Sequence, residues 1–196
     1  MKKINDKIEA PYNKKFKKGD MAVYPSHGIG EIMEIQEITV AGQKIKTMKM
    51  YFAKDRLTIN IPILQIEKNN IRAIESKESM ERVFDNLKGG IRKSKGMWSR
   101  RAQEYETKIN SGDIMLLSDV LRDLSRDIEH SERSYSERII YETAVYRLSS
   151  EYSIVENISY EDAEKEVLSY CSYKTSGDKD GDLSKIQAYD DNFDDD

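Results

Sequence analysis

The residues of this sequence that are best suited to bind a partner surround its single tryptophan, Trp98. The segment KGGIRKSKGMWSRRAQEYE, residues 88–106, contains no acidic residue between Lys88 and Glu104. Lysine and arginine neutralise phosphates without regard to base sequence, and an apolar side chain can enter a groove at a disturbed base step. The pattern therefore indicates a nucleic-acid-binding surface. The basic residues of the segment are Lys88, Arg92, Lys93, Lys95, Arg100 and Arg101.

A structural role for Trp98 is the alternative. Trp98 stands at helical spacing from Ala102 and Tyr105, so it could anchor a helical core and leave the cations on a solvated face. Against this, Trp98 is expected in the first turn of its helix, where a side chain is often exposed, and the cations flank it on both sides. The residues alone support the two interpretations equally.

Other chemistry has little support in the sequence. The two histidines, His27 and His130, are far apart and neither lies in a cluster of potential metal ligands. The GIG at 28–30 fails as a dinucleotide loop because Met33 occupies the position of the third glycine. The acidic DKDGD at 178–182 is followed by residues that lack the glycine and terminal carboxylate of a calcium loop. We therefore expect no enzymatic activity, no metal and no cofactor.

Composition limits the class of protein. The chain has 196 residues, of which 35% are charged and 38% hydrophobic, and its apolar runs are too short to span a bilayer. A single cysteine, Cys171, excludes an intrachain disulfide and suggests a reducing cytoplasm. The net charge of −4 includes −6 from the aspartate-rich segment 178–196, so residues 1–177 carry +2. The part expected to fold is mildly basic, which is compatible with an anionic partner.

The first part of the chain predicts strands. Residues 1–15 are lysine-rich without periodicity, and we expect them to be disordered. From Phe16 the sequence favours half-buried strands, with turns at Pro25–Gly28 and Ala41–Gly42. In GIGEIMEIQEI, residues 28–38, isoleucine recurs every three residues, which suits a helix better. The flanking glycines and the β-branched residues nevertheless favour a bulged strand.

From about residue 76 the apolar spacing predicts five helices. Ser79 is predicted to cap the first helix and Gly89–Gly90 to end it. The Ser111–Gly112–Asp113 break precedes the third, and the fourth and fifth begin with Ser134 to Glu137 and Ser159 to Asp162. The predicted fold class is α+β, with a small β module followed by a helical bundle.

Several motifs in order resemble the CarD/CdnL family of bacterial transcription regulators. The first are FKKGDMAVYPSHGIGEI, from residue 16, and LTINIP at 57–62. MWSRRAQEYETKINSGD at 97–113, VLRDLSR at 120–126 and SYSERIIYETA at 134–144 follow. The resemblance covers roughly residues 16–170 and is most similar to the proteobacterial CdnL-like members.

The resemblance implies a Tudor-like module that binds the β subunit of RNA polymerase; a similar module occurs in the transcription-repair coupling factor. It also implies a helical domain that contacts promoter DNA at the upstream edge of the melted bubble, where Trp98 enters the minor groove. Arg100, Arg101 and Arg138 match basic positions that face DNA. Lys93 and Lys95 are added from local charge alone.

The expected segments are a disordered basic N-terminus (1–15), a Tudor-like polymerase-binding domain (16–75), a helical DNA-binding domain (76–173) and a disordered acidic tail (174–196).

The polymerase-binding positions depart from the family pattern. Relatives commonly carry a basic residue where this chain has Asn60, and some carry a basic contact where it has Ile38. The predicted polymerase contacts are Ile38, Asn60 and Lys46. Edge-strand pairing through main-chain hydrogen bonds could hold the partner without those charges.

The resulting hypothesis is a monomeric, non-enzymatic regulator that binds polymerase and stabilises the promoter open complex. Two alternatives stay open. One is a general DNA-binding architectural protein that does not bind polymerase, and the other is an adaptor whose helical bundle binds protein instead of DNA.

Overall fold

The computed structural model describes residues 16–89, 96–125 and 134–172. They form a five-stranded antiparallel sheet followed by five α-helices, so the predicted α+β fold class is confirmed. The strands are β1 (Met21–Tyr24), β2 (Gly28–Val40), β3 (Gln43–Phe52), β4 (Leu57–Pro62) and β5 (Arg72–Ala73). The helices are α1 (Lys77–Lys88), α2 (Trp98–Asn110), α3 (Ile114–Ser125), α4 (Tyr135–Glu156) and α5 (Tyr160–Ser172).

The sheet is built around the long β2–β3 hairpin, in the strand order β4-β3-β2-β1-β5. The hairpin turns at Ala41 and Gly42, whose φ angles of 50° and 78° suit the left-handed turns that match strand twist. Predicted turns at Ala41–Gly42 and Pro25–Gly28 are both present, since Tyr24 pairs with Gly28.

A β-bulge explains the isoleucine spacing that resembled a helix. The register of β2 against β3 shifts between Ile32 and Glu34, so one extra residue is inserted in β2. Because of this insertion, Ile32 pairs with Met50 and Ile35 pairs with Met48, and both isoleucines face the same core. The bulged strand predicted for this segment is therefore confirmed.

The GIG segment serves packing. A Cβ atom on Gly30 would lie 2.7 Å from Cε1 of Phe52, so only glycine lets this ring cross the strand. The His27 ring lies 5.1 Å from the Tyr24 ring and 5.3 Å from the Phe52 ring, centroid to centroid. His27 therefore packs within an aromatic cluster.

The five helices enclose one apolar core. Ser111 and Gly112 break the chain between α2 and α3 as predicted, and Cys171 is buried in the core. The prediction that Ser79 caps α1 is wrong, because Ser76 is the N-cap and its Oγ accepts from the Ser79 N–H at 3.3 Å. The spacing of apolar residues did not show which of the two serines, three residues apart, is the N-cap. The buried residues of the core include Val83, Leu87, Val120, Leu121, Ala144, Leu148, Ala163 and Val167.

A buried arginine ties α1 to α3. Arg122, only 6% exposed, donates to Asn86 Oδ1 at 2.6 Å and lies 2.9 Å from Asp119 Oδ1. Burial raises the pKa of the adjacent Asp123, and the charge of Arg122 opposes that rise. The VLRDLSR motif thus contributes a structural network within the bundle. In the described parts of the chain, no helix is long and apolar enough to cross a bilayer.

The turn between α2 and α3 packs closely against the sheet module. Gly112 has a φ of 83°, and a Cβ atom there would lie 2.8 Å from Cγ of Pro25 and 3.1 Å from the Asn70 carbonyl oxygen. Gly42 has a similar φ of 78° but no atom within 4 Å of its would-be Cβ. Both glycines have a backbone that is strained for other residues, but only Gly112 is also crowded. Comparing an alanine substitution at each therefore distinguishes the cost of backbone strain from the cost of steric crowding.

We expect Gly42→Ala to lower the free energy of unfolding by about 1 kcal/mol, from the left-handed backbone alone. Gly112→Ala should lower it by about 2–4 kcal/mol, because the methyl group also collides with Pro25. Urea unfolding followed by circular dichroism measures both. Equal losses would show that the sheet and bundle are not in close contact at this turn.

Candidate nucleic-acid interface

Trp98 is the first residue of α2 and is partly buried against the bundle core. Its ring centroid lies 6.3 Å from that of Tyr105, and its indole N–H donates to Ser136 Oγ in α4 at 2.8 Å. Burial, together with the charge of Asp123, raises the pKa of Tyr105, so this supporting phenol is neutral near neutral pH. Trp98 thus combines features of both interpretations: one part packs on the bundle and the rest is exposed.

The two arginines that follow Trp98 have different environments. The Cζ atom of Arg101 lies 5.2 Å from the Trp98 ring centroid, within cation–π range. Its Nε is buried and has no hydrogen-bond partner among the residues that the structure describes. The Arg100 side chain is 79% exposed and pairs with Glu104 at 3.2 Å. Such an exposed pair contributes little stability, so Arg100 is free to exchange Glu104 for a phosphate.

Arg138 lies two residues after Ser136 in α4, so it belongs to the same end of the bundle as Trp98. Its guanidinium is 3.7 Å from Glu142 and 5.7 Å from the Tyr135 ring centroid. The structure therefore places Trp98, Arg100, Arg101 and Arg138 at the same end of the bundle. The predicted contacts Lys93 and Lys95 lie outside the described residues.

Two large apolar side chains, next in the chain to Trp98 or to its partner Ser136, were missed from the sequence. Met97 is 79% exposed and Tyr135 is 73% exposed, more than any other large apolar side chain described. Met97 could have been found by its position beside Trp98. Tyr135 had no such signal, because only the fold brings α4 next to α2. We call the surface formed by Met97, Trp98, Arg100, Arg101, Tyr135 and Arg138 the Trp98 end.

The charge of the Trp98 end is more balanced than the sequence suggested. Arg100 and Arg138 each pair with a glutamate one helical turn away, Glu104 and Glu142. These i,i+4 pairs could not be read from the acid-free run before Glu104. The described part of this surface is therefore amphipathic, with exposed apolar groups between ion pairs.

The three predicted polymerase contacts do not share one face of the sheet. Ile38 pairs with Ile45, and Asn60 pairs with Lys49, which places Ile38 and Asn60 on the face opposite the sheet core. Lys46 has the same parity in β3 as the buried Met48, so it faces the other side, paired with Glu37. Any single flat partner surface would contact one set or the other.

The contact between Trp98 and Ser136 can be tested with the intrinsic fluorescence of the only tryptophan. Ser136→Ala should release the indole, increase its quenching by acrylamide and lower the free energy of unfolding by about 0.5–1.5 kcal/mol. Ser169→Ala is the matched control, since its hydroxyl is exposed and donates within α5. Unchanged quenching in Ser136→Ala would show that the hydrogen bond does not hold the ring.

Comparison with known proteins places the chain in a family. Residues 16–75 match the model described as the CarD-like/TRCF RID domain, and residues 82–168 match the model described as the CarD C-terminal domain. The Bacillus subtilis (strain 168) protein named "Putative transcription factor YdeB" is 27% identical over 155 residues, which cover 79% of this chain and 99% of that protein. The two domain models occur in sequence order and divide the chain between the sheet and the bundle. The chain therefore belongs to the CarD family, as its motifs predicted.

Proposed function

We propose that this protein is a non-enzymatic transcription regulator that binds the β subunit of RNA polymerase through its sheet. It stabilises the promoter open complex by inserting Trp98 at the upstream edge of the melted bubble. The observation that carries the proposal is the Trp98 end, where a partly exposed tryptophan shares one end of the bundle with two exposed apolar side chains and three arginines. The CarD family membership supports the regulatory role.

The geometry suits insertion of Trp98 into a groove, because contacts with the bundle hold its ring in place. Proteins that kink DNA from the minor groove insert apolar side chains between base steps while cations contact phosphates. The Ser136 hydrogen bond and the Tyr105 ring limit the motion of Trp98, so little side-chain entropy is lost when it enters a groove. Arg100 and Arg138 lie on neighbouring helices, and their exposed side chains can exchange a glutamate for a phosphate.

Tethering compensates for a weak DNA contact. The ion pairs of Arg100 and Arg138 reduce the net positive charge of the Trp98 end, so its affinity for free DNA should be low. Binding of the sheet to polymerase makes the DNA contact intramolecular and raises its effective concentration. Specificity then comes from polymerase and from the junction of melted DNA.

The sheet offers two ways to bind polymerase. Ile38 and Asn60 provide a half-exposed face, and β4 is an edge strand paired on one side with β3. An edge strand can pair with a partner strand through main-chain hydrogen bonds, which needs no basic side chain at Asn60.

The balanced charge of the Trp98 end also favours the adaptor alternative, in which the bundle binds protein. The two functions differ in salt dependence. Phosphate contacts make DNA affinity fall steeply with salt, whereas an apolar protein interface is much less sensitive. A salt titration of binding to forked DNA therefore separates them.

The central prediction concerns the lifetime of a promoter open complex formed by the cognate polymerase. We expect the wild-type protein to lengthen it about tenfold, equivalent to about 1.4 kcal/mol, and Trp98→Ala to lose most of that effect. Trp98 is only partly buried, so Trp98→Ala should keep its fold by circular dichroism. A fully core tryptophan would instead cost about 3–5 kcal/mol of unfolding free energy.

Ile158→Ala is the matched control for that experiment. Ile158 is a similarly large apolar side chain, 37% exposed, in the turn between α4 and α5. It should leave the lifetime unchanged. A wild-type protein without effect on the lifetime would contradict the proposed function, and a folded Trp98→Ala with full effect would contradict the wedge.

Polymerase binding should depend on one face of the sheet. We expect Ile38→Glu and Asn60→Glu each to weaken binding to the isolated β subunit about tenfold, since each places an uncompensated charge in the interface. Lys46→Glu, on the opposite face, should change the affinity less than threefold. Biolayer interferometry with the three variants measures this. A larger loss with Lys46→Glu would assign the interface to the other face.

A further inference from the structure

The sheet and the bundle are joined by arginines that reach in opposite directions. Arg72 of β5 donates to both carboxylate oxygens of Glu151 in α4, at 2.5 and 2.8 Å, and its Nε donates to the Gly112 carbonyl at 2.5 Å. From the other side, Arg147 of α4 donates to the Pro25 carbonyl in the turn between β1 and β2. We call Arg72, Glu151 and Arg147 the interdomain lock.

The buried carboxylate of the interdomain lock has several partners, which fix the angle between the two modules as well as their distance. Glu151 is 2% exposed, and it also accepts from the Glu75 N–H at 3.0 Å, so its oxygens are held by two parts of the sheet module. Burial alone would lower the pKa of Arg72, but the hydrogen bond and charge of Glu151 outweigh burial and raise it. A bidentate arginine–carboxylate pair fixes the relative angle of its partners as well as their distance.

Arg147 adds a second fixed point. It donates to the Ile109 carbonyl at 3.2 Å, at the C-terminal end of α2, where helix carbonyls lack intrahelical partners and carry partial negative charge. Burial lowers the pKa of Arg147, but an arginine remains charged near neutral pH. One guanidinium therefore connects α4, the end of α2 and the Pro25 turn of the sheet.

The same two helices lead from the interdomain lock to the Trp98 end. Trp98 contacts Ser136, and Ile109 contacts Arg147, so both contacts join residues 38 positions apart. A constant offset means that α2 and α4 run side by side in the same direction over these residues. Eleven residues of helix span about 16 Å, so the two helices act as a short rigid arm.

We propose that the interdomain lock positions Trp98 relative to the polymerase-bound sheet, so that Arg72, Glu151 and Arg147 are positioning residues for open-complex stabilisation. This inference rests on the proposed function. A tilt of about 10° at the lock moves the far end of a 16 Å arm by about 3 Å. That displacement approaches the spacing of about 3.4 Å between successive nucleotides, so a loose lock would carry Trp98 to the wrong base step.

The test removes the buried pair as a unit in the full-length chain. Arg72→Ala combined with Glu151→Ala avoids an uncompensated buried charge. Its matched control is Lys77→Ala with Glu156→Ala, which removes a Lys–Glu pair of 2.6 Å that joins α1 to α4 within the bundle. Arg147→Met provides an independent variant should the first double variant fail to fold.

Two kinds of measurement distinguish positioning from stability. Spin labels at Leu64→Cys, in the 3-10 turn that follows β4, and at Glu106→Cys in α2, in a Cys171→Ala background, report the distance distribution between the modules. Polymerase affinity, forked-DNA affinity and open-complex lifetime are measured on the same variants without labels. Arg72→Lys, which keeps the charge but not the bidentate geometry, should give intermediate values.

We expect the double lock variant and Arg147→Met to broaden the distance distribution and to shorten the open-complex lifetime about fivefold relative to wild type. Their polymerase and forked-DNA affinities should stay within about twofold, and the control pair should behave as wild type in every measurement.

A narrow distance distribution in both lock variants, or a broad one with full wild-type lifetime, would overturn the positioning role while leaving the proposed function intact. A wild-type protein that does not lengthen the lifetime would overturn the proposed function and the positioning role together.

Discussion

The buried pair between Arg72 and Glu151 is the interaction on which the arrangement of the whole molecule depends. Two charges removed from water are tolerated only when each finds strong partners, and here the partners come from opposite modules. Glu151 is satisfied by Arg72 and the Glu75 N–H, both from the chain before α1. Any packing of the sheet on the bundle that kept Glu151 buried away from Arg72 would leave its carboxylate unpaired, so the pair favours the orientation in which the two meet.

Two turns recognised in the sequence also help to fix the orientation of the sheet and the bundle. The PSH turn lies against the bundle through Arg147, and the SGD turn lies against the sheet through Gly112. The sequence predicted both segments only as breaks between elements, yet in the structure they also hold the two modules together. The surfaces proposed for partners are the outer face and edge of the sheet and the Trp98 end.

Local physics made much of the fold predictable. The turns at Ala41–Gly42 and Pro25–Gly28 follow from their glycines, Gly42 and Gly28, which tolerate left-handed backbone. The caps at Ser134 and Ser159 follow from short polar side chains before helices. The bulge in β2 was predictable because three-residue spacing conflicted with the surrounding strand signals. The choice between Ser76 and Ser79 was not, since both can cap and only packing buries one of them.

Only the part of the candidate site that is contiguous in sequence could be predicted, because the rest depends on how the helices pack. Trp98 and its neighbours in sequence were found, but Tyr135, Ser136 and the glutamates that balance the arginines depend on how α4 packs beside α2. The pair between Arg72 and Glu151 joins residues 79 positions apart and has no local signature at all. Charge runs describe a segment of chain, whereas a partner meets a surface assembled from several segments.

The long sequence separation of this pair also bears on the order of folding. Contacts within the β2–β3 hairpin and between neighbouring helices close short loops, whereas the Arg72–Glu151 contact needs both modules to be largely formed before its geometry exists. Interactions that form after the transition state slow unfolding and have little effect on the folding rate. We therefore expect the junction between the modules to slow unfolding more than it speeds folding, and so to lengthen the lifetime of the native chain.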